Sequence, residues 1–357
     1  MHVSKTKLAV AVSLALGLAP IANADEMTIY GSVGAAMEAL DNGSTSTTEV
    51  SNNHSAFGVK GSKTVNENLT AVYLFDAFVG IDAGGGAGDD SLFGGGRDGW
   101  VGVSGEEWGT VALGFQGRPW KTSTNHLDIF GSTAADYSAI MGTTGDNNLD
   151  GQSDVYFDGG IGSSLIYFGP NINGFSWHLQ FGADENDDNT NDWGAQANYS
   201  REALYATLSY DVDGQGTSDD ITATKLAVSY KIQENTNLVG MYDSISNGDN
   251  ARDAFYVSVA HGVGNTTLKL AYAMADELDN VADSGASYYA LGASHMLDAN
   301  LEVFVLYSAL TNDNGGAYNY TSSPHTSSNG NTAIAAAGDD SSVISAGIRY
   351  HFAWQNK

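Results

Sequence analysis

A period of two in hydrophobicity, returning in run after run, is what most constrains this chain. Ser342 to Phe352 shows it plainly: Ile344, Ala346, Ile348, Tyr350 and Phe352 lie on one face, and Ser345, Gly347, Arg349 and His351 on the other. Leu268, Leu270, Tyr272 and Met274 alternate with Lys269, Ala271 and Ala273. Leu226, Val228, Tyr230 and Ile232 alternate with Lys225, Ala227, Ser229 and Lys231, and Trp177, Leu179 and Phe181 with His178 and Gln180. Such alternation marks a β-strand with one apolar and one polar face. One such strand suits a soluble sheet. A whole chain of them needs an apolar medium on one side, and its two ends must pair so that no edge stays open.

The spacing of the runs sharpens the reading. They fall into hairpins closed by tight turns such as Asn66-Glu67-Asn68, Arg201-Glu202 and Gly262 to Asn265. Between hairpins lie longer polar segments: 41–54, 79–96, 116–154, 184–192, 212–221, 245–251, 276–285 and 312–341. With the first strand, near Met27 to Leu40, and the last, this gives about sixteen strands of roughly 9–11 residues, the length a tilted transmembrane strand needs. Short turns on one rim and long loops on the other predict an all-β fold, a transmembrane antiparallel β-barrel. Aromatics near strand ends, among them Tyr199, Tyr210, Tyr230, Tyr350 and Phe352, suit an interfacial girdle. Pro119, Pro170 and Pro324 fall in connections and spare the ladders.

Residues 1–24 read as a secretory signal peptide, with Lys5 and Lys7, an apolar core from Leu8 to Leu18, and Ala22-Asn23-Ala24 as the cleavage site. Residues 25–357 are then one barrel. Cysteine is absent, which removes disulfides and thiol chemistry. The formal net charge is −28, and −30 without Lys5 and Lys7. So acidic a chain is unsuited to nucleic acid, which demands a basic face. No cofactor and no metal is expected: no His/Asp cluster has ligand spacing, Asp187-Asp188-Asn189 and Asp219-Asp220 lack an ordered calcium-loop pattern, and the glycine runs Gly84 to Gly88 and Gly94 to Gly96 read as flexible loop.

Four stretches resemble the trimeric general-diffusion porins of Gram-negative outer membranes: Ile29-Tyr30-Gly31-Ser32; Phe57-Gly58-Val59-Lys60-Gly61; Arg97 through Gly105 with Trp108-Gly109-Thr110; and the closing Gly347-Ile348-Arg349-Tyr350-His351-Phe352. The resemblance implies a homotrimer of sixteen-stranded barrels with short periplasmic turns, long extracellular loops and the third loop folded into the lumen. It also implies a cell outer membrane location, with surrounding lipid and lipopolysaccharide, insertion by the outer-membrane assembly machinery, and passage of small hydrophilic solutes. Where the family often carries a ladder of arginines, this chain has Gly34, Ala56 and Phe115, so only Lys60 and Arg97 match. The family usually ends on its phenylalanine, whereas here Ala353-Trp354-Gln355-Asn356-Lys357 follow Phe352.

A barrel this wide must be narrowed, and 116–154 is the longest early loop. Its Asp128 and Asp136 are the chosen acidic residues of the constriction, with Asp146 and Asp150 behind them. Lys60 and Arg97 are expected opposite, with Arg118, Lys121 and Arg349 as further basic candidates and with Asp76 and Glu38 on inward faces. Opposed charges set a transverse field across a narrow path, and an acidic excess favours cations. The expected function is passive diffusion with modest cation selectivity and no catalysis. Two alternatives remain open: a substrate-specific channel for sugars or other small solutes, using Trp120 and Tyr137, and a barrel adhesin or hydrolase using Ser258 and His261.

Overall fold

The computed structural model describes residues 26–81, 93–145, 156–183, 190–216, 219–320 and 336–356, with the backbone alone at 93–96. The leader, Gly84 to Gly88, Asp146, Asp150 and Asp187-Asp188-Asn189 lie outside the described residues. Among the described residues no helix is long and apolar enough to cross a membrane.

The strands are β1 (Glu26–Asp41), β2 (Ser46–Asn52), β3 (Ala56–Asn66), β4 (Leu69–Val79), β5 (Phe93–Gly105) and β6 (Gly109–Gly117). Then come β7 (Gly160–Phe168), β8 (Phe175–Gly182), β9 (Asp192–Arg201), β10 (Leu204–Asp213), β11 (Ile221–Gln233) and β12 (Thr236–Ser246). The last are β13 (Ala251–Val263), β14 (Thr266–Ala275), β15 (Ala286–Met296), β16 (Leu301–Asn312) and β17 (Ser341–Gln355). Apart from β2 and β3, chain neighbours pair antiparallel, and β17 returns to β1 along its whole length, Thr28 opposite Gln355 through Asp41 opposite Ser342. The sheet is therefore closed. β2 and β3 share one stave: β2 pairs with residues 35–41 of β1 and β3 with residues 26–32. The result is a sixteen-stranded antiparallel barrel.

Two sequence expectations change here. The polar run 41–54 is not one loop: Ser46–Asn52 forms β2, because Thr and Val on a barrel wall suit the pleat and β1 offers an unpaired edge. Gly94 to Gly96 belong to β5, whose register against β4 slips at Phe75/Ala77 and again at Ala77/Val79. Past Phe352 the chain simply keeps pairing. Trp354 faces Ile29, and Asn356 closes the seam, its Oδ1 accepting from the Met27 amide at 2.6 Å and its own amide donating to Met27 O at 3.1 Å.

The faces follow the alternation. Val101, Leu113, Leu270 and Ile344 are among the half-exposed apolar side chains of the outer wall, while Ser345, Ser258 and Asp243 turn inward and are buried. Outer-wall aromatics pair near both rims, Phe175 with Tyr199 at 4.6 Å and Trp193 with Tyr210 at 5.4 Å between ring centres. The compact apolar core therefore lies inside the barrel, between a loop and one arc of wall.

Candidate functional site in the barrel lumen

Residues 118–159 link β6 to β7 and form the third connection of the long-loop rim, L3. Its ends meet at the wall, where the Arg118 amide donates to Gly159 O at 3.1 Å. A four-residue helix, α1 (Pro119–Thr122), starts it, with proline at its first turn, where no amide is needed. The Trp120 amide donates to Asp211 Oδ2 at 2.9 Å, Thr122 Oγ1 to Gln196 Oε1 at 2.9 Å, and Tyr205 OH to Ser123 O at 2.7 Å. L3 then crosses the lumen. At its far tip Arg349 Nη2 donates to Ser132 O at 2.6 Å, and Ser132 Oγ lies 3.0 Å from His54 Nδ1. His54 sits in the break between β2 and β3, and both it and Ser132 adopt positive φ, so the two chains bend toward each other there.

The return limb is fastened to the opposite arc. Arg252 Nη2 donates to Ile140 O at 3.2 Å, the Gly142 amide to Asp243 Oδ2 at 2.8 Å, and Tyr288 OH to Ala135 O. Four charged side chains of alternating sign cross four adjacent strands beneath it: Asp211 on β10, Lys225 on β11, Asp243 on β12 and Arg252 on β13. All four are buried. Lys225 and Asp243 are direct cross-strand partners, and Arg252 Nη1 meets Asp243 Oδ1 at 2.8 Å. Lys225 Nζ lies 3.0 Å from the centre of the Trp120 ring and 5.4 Å from that of Tyr137, a cation–π contact in a dry setting. Between these charges the wall carries Ala223, Ala227, Ala254, Ala271, Ala273 and Ala290, all buried. Small side chains leave the room that Phe130, Ile140, Met141 and Phe157 of L3 fill. Tyr318 and Tyr320, at the root of the connection after β16, complete this packing, Tyr320 OH bonding Ser308 Oγ at 2.9 Å.

The residues singled out from sequence do not form one ring. Lys60, Arg97 and Asp76 share the wall opposite L3. Lys60 Nζ stands 5.4 Å from the Tyr30 ring, Tyr30 OH donates to Asp76 Oδ2 at 3.3 Å, and the Arg97 guanidinium stands 5.2 Å from the Phe78 ring. Asp128 and Asp136 lie on L3, but their oxygens serve the loop itself. Asp128 accepts from the Phe130 and Tyr137 amides at 2.9 and 3.0 Å, and Asp136 from the Ser138 and Ser132 amides at 3.0 and 3.1 Å. Arg118 is buried and pairs with Asp192 and Asp213, each at 2.9 Å. Lys121 meets Asp158 at 3.4 Å. Arg349 reaches Glu302 at 4.0 Å besides its bond to L3. Glu38 is sealed in the closing seam, accepting from Ser51 Oγ at 2.7 Å and Ser345 Oγ at 3.0 Å.

Phe115 stands on the outer face of β6, and Gln116 takes the lumen position, so Phe115 does not replace a pore-wall arginine. Trp120 and Tyr137 are enclosed between L3 and the wall and offer no aromatic slide. Ser258 faces inward while His261 lies on the opposite face of β13, three residues on, so the hydrolase pairing fails by parity.

Burial, with Asp136 second, pushes the Asp128 carboxyl well above the usual range. Burial, with the Asp158 charge second, pushes Asp136 up to about 6. The buried row Asp211, Lys225, Asp243 and Arg252 was the main element missed from sequence. Its signal is a charged residue at an inward position on four consecutive predicted strands, visible once the faces are assigned.

No curated protein matches the chain. Among solved structures, an anion-selective porin from Comamonas acidovorans is 20% identical, with 92% of this chain and 100% of that one covered and a TM-score of 0.77. The Salmonella typhi OmpF in complex with daunomycin is 16% identical, covering 92% and 98%, with a TM-score of 0.66. A trimeric form of the Vibrio cholerae outer membrane protein OmpT is 18% identical, covering 92% and 100%, with a TM-score of 0.63. These likenesses establish the fold. Since the Gram-negative porin family's sequence model also matches residues 9–315, the chain belongs to that family and is a multi-pass outer-membrane β-barrel that forms a diffusion channel.

Proposed function

We propose that this porin is a general-diffusion channel for small hydrophilic solutes, modestly selective for cations, without catalysis, and assembled as a trimer. The observation that carries it is how L3 is held. It spans the lumen, tied to the wall at both limbs and at the tip, and so narrows a passive path. The selectivity rests on how the lumen's charges are spent. Arg118, Arg252 and Arg349 each face a carboxylate, which leaves Lys60 and Arg97 as the basic wall against a strongly acidic chain. The Comamonas porin is anion-selective, but at 20% identity it is too distant in sequence for that property to transfer.

The leader 1–24 is removed on export in this reading, leaving Asp25 at the mature N-terminus. Outer-membrane lipid, lipopolysaccharide and the assembly machinery are its partners, and nucleic acid is not. The test is planar-bilayer recording of the purified protein in a tenfold KCl gradient. The zero-current potential takes the cation sign and falls well short of the roughly 59 mV of a perfectly selective pore. An anion-signed potential overturns the selectivity. Three equal closing steps support the trimer, and saturable block of the ion current by one sugar would replace general diffusion with a substrate-specific channel.

A further inference from the structure

Of the ion pairs made by Arg118, Lys121, Arg252 and Arg349, one turns its cation toward the open lumen. The Lys121 side chain is 29% exposed and its partner Asp158 5%. Arg118, Arg252 and Arg349 are 7, 0 and 13% exposed, no more open than the carboxylates they meet. The charge of Lys121 bears on His54 together with those of Arg97 and Arg349, so this lysine borders the same passage as the basic wall. L3 thus meets the passage with a cation. Asp128 and Asp136 do not offset it there, since their oxygens serve the loop's own amides.

The residue that does offset it stands at the other end of the loop. Lys121 lies in α1, at the start of L3, and Asp158 two residues before β7. Lys121 Nζ donates to Asp158 O at 2.6 Å and meets Oδ2 at 3.4 Å, so backbone and side chain both hold it. Tyr156 OH donates to the same Oδ2 at 3.1 Å, and Tyr137 OH to Oδ1 at 3.4 Å. The carboxylate also faces a second lysine: of the acids around buried Lys225, Asp158 acts on it most strongly, ahead of Asp243 and Asp211. A buried charge is little screened by salt, so Asp158 opposes the field of Lys121 where ions pass.

We propose that Asp158 is the specificity-determining residue on the L3 side of the passage: it cancels Lys121 and so confines the basic field to Lys60 and Arg97. The inference rests on the cation-selective reading above and names the carboxylate that maintains it. Without Asp158 three cations flank the path, and such a lining favours anions.

The test measures zero-current potentials of Asp158→Asn, Lys121→Gln and the double variant, as purified full-length protein in planar bilayers under a dilute KCl gradient. In water, one unit of charge about 6–10 Å from a passing ion changes the cation-to-anion permeability ratio by roughly fourfold to tenfold. Asp158→Asn lowers the ratio by that factor, Lys121→Gln raises it by a similar one, and the double variant returns close to the native value. A merely structural role predicts otherwise: a displaced L3 widens the path, raises the unit conductance and draws both single variants toward zero potential. Shifts of the same sign in both single variants, or an unmoved potential in Asp158→Asn, overturn the proposal. A native potential of anion sign with opposed shifts in the two variants refutes the cation reading and leaves Asp158 in its role. A cation-signed native channel that Asp158→Asn leaves unmoved refutes the role alone, and absence of conductance steps refutes both.

Discussion

Replacing Arg252 with methionine removes the cation that neutralises Asp243 and reaches across to L3. The pair is fully buried, with its partners 2.8 Å apart, and Arg252 also donates to Ile140 O at 3.2 Å. Asp243 then keeps the Gly142 amide, at 2.8 Å, and the opposed Lys225. Breaking one side of a buried pair costs about 3–5 kcal/mol, because a charge is left uncompensated. The strand ladders around both residues are intact, so the cost falls on the seating of L3 rather than on the barrel. At about 1.4 kcal/mol per decade, the ratio of detached to seated loop rises by roughly two to three and a half orders of magnitude. Single-channel recordings of R252M should therefore show frequent current fluctuations that the native protein lacks, while the barrel's resistance to heat in SDS changes little. D243N/R252M keeps an acceptor for the Gly142 amide and removes the stranded charge, so it should be quieter than R252M. Equal noise in R252M and the native channel, or a double variant as noisy as the single, refutes the argument that this pair holds the loop.

Asp136 gives a pH dependence. Its carboxyl is raised to about 6 in the folded loop, so the stability it lends L3 is complete below the unfolded value near 3.8 and is lost as pH rises through about 6. Ionisation over the same window adds negative charge, so cation selectivity should climb between pH 5 and 7, and D136N should flatten that rise in reversal-potential measurements. Deleting residues 353–357 removes the pairing of Ala353, Trp354 and Gln355 with β1 and the Asn356–Met27 bonds. At about 1 kcal/mol per lost hydrogen bond, the barrel should lose several kcal/mol of stability, read as a lower urea midpoint and slower refolding into detergent. Gly292→Val puts a branched side chain where a Cβ already meets Val305 O at 2.8 Å and Phe130 at 3.0 Å, so the L3 tip should be displaced and the unit conductance changed. An unaltered conductance would show that Phe130 can move at no cost.

The barrel was legible because alternation is local. Whether Leu270 faces out and Ala271 in depends on neighbours one residue away, and closure follows once every strand needs two partners. Where it failed, the cause was a longer-range contact. Ser46–Asn52 reads as a polar loop until β1 is seen to offer an edge beyond the reach of β3. Phe115 sits on the outer face with Val111 and Leu113, so the alternation of β6 already excluded it from the pore wall and the family comparison outweighed the parity. The acidic residues of L3 were placed on the correct loop, but the sequence does not reveal that Asp136 caps a helical turn or that Asp128 holds the Tyr137 amide. Arg118 gave no hint that Asp192 and Asp213, more than seventy residues on, would neutralise it.

The two arcs of the lumen wall divide the labour in a way that alternation alone does not require. An inward position of a barrel that faces water has no reason to be alanine, yet β11, β13, β14 and β15 carry alanine there repeatedly, β12 carries Val239, Met241 and Ile245, and charges stand only where L3 offers a backbone group or an aromatic face in return. That arc is built as an interior. The arc from β3 to β5 keeps Lys60, Asp76 and Arg97, none of which bonds to L3. An apolar seat fixes the obstacle by close packing, in which small displacements lose contacts at once. A polar wall stays solvated and sets the field. Exchange of charge on the second arc should thus alter which ions pass and leave the loop still, whereas exchange on the first should move the loop and alter the size of everything that passes.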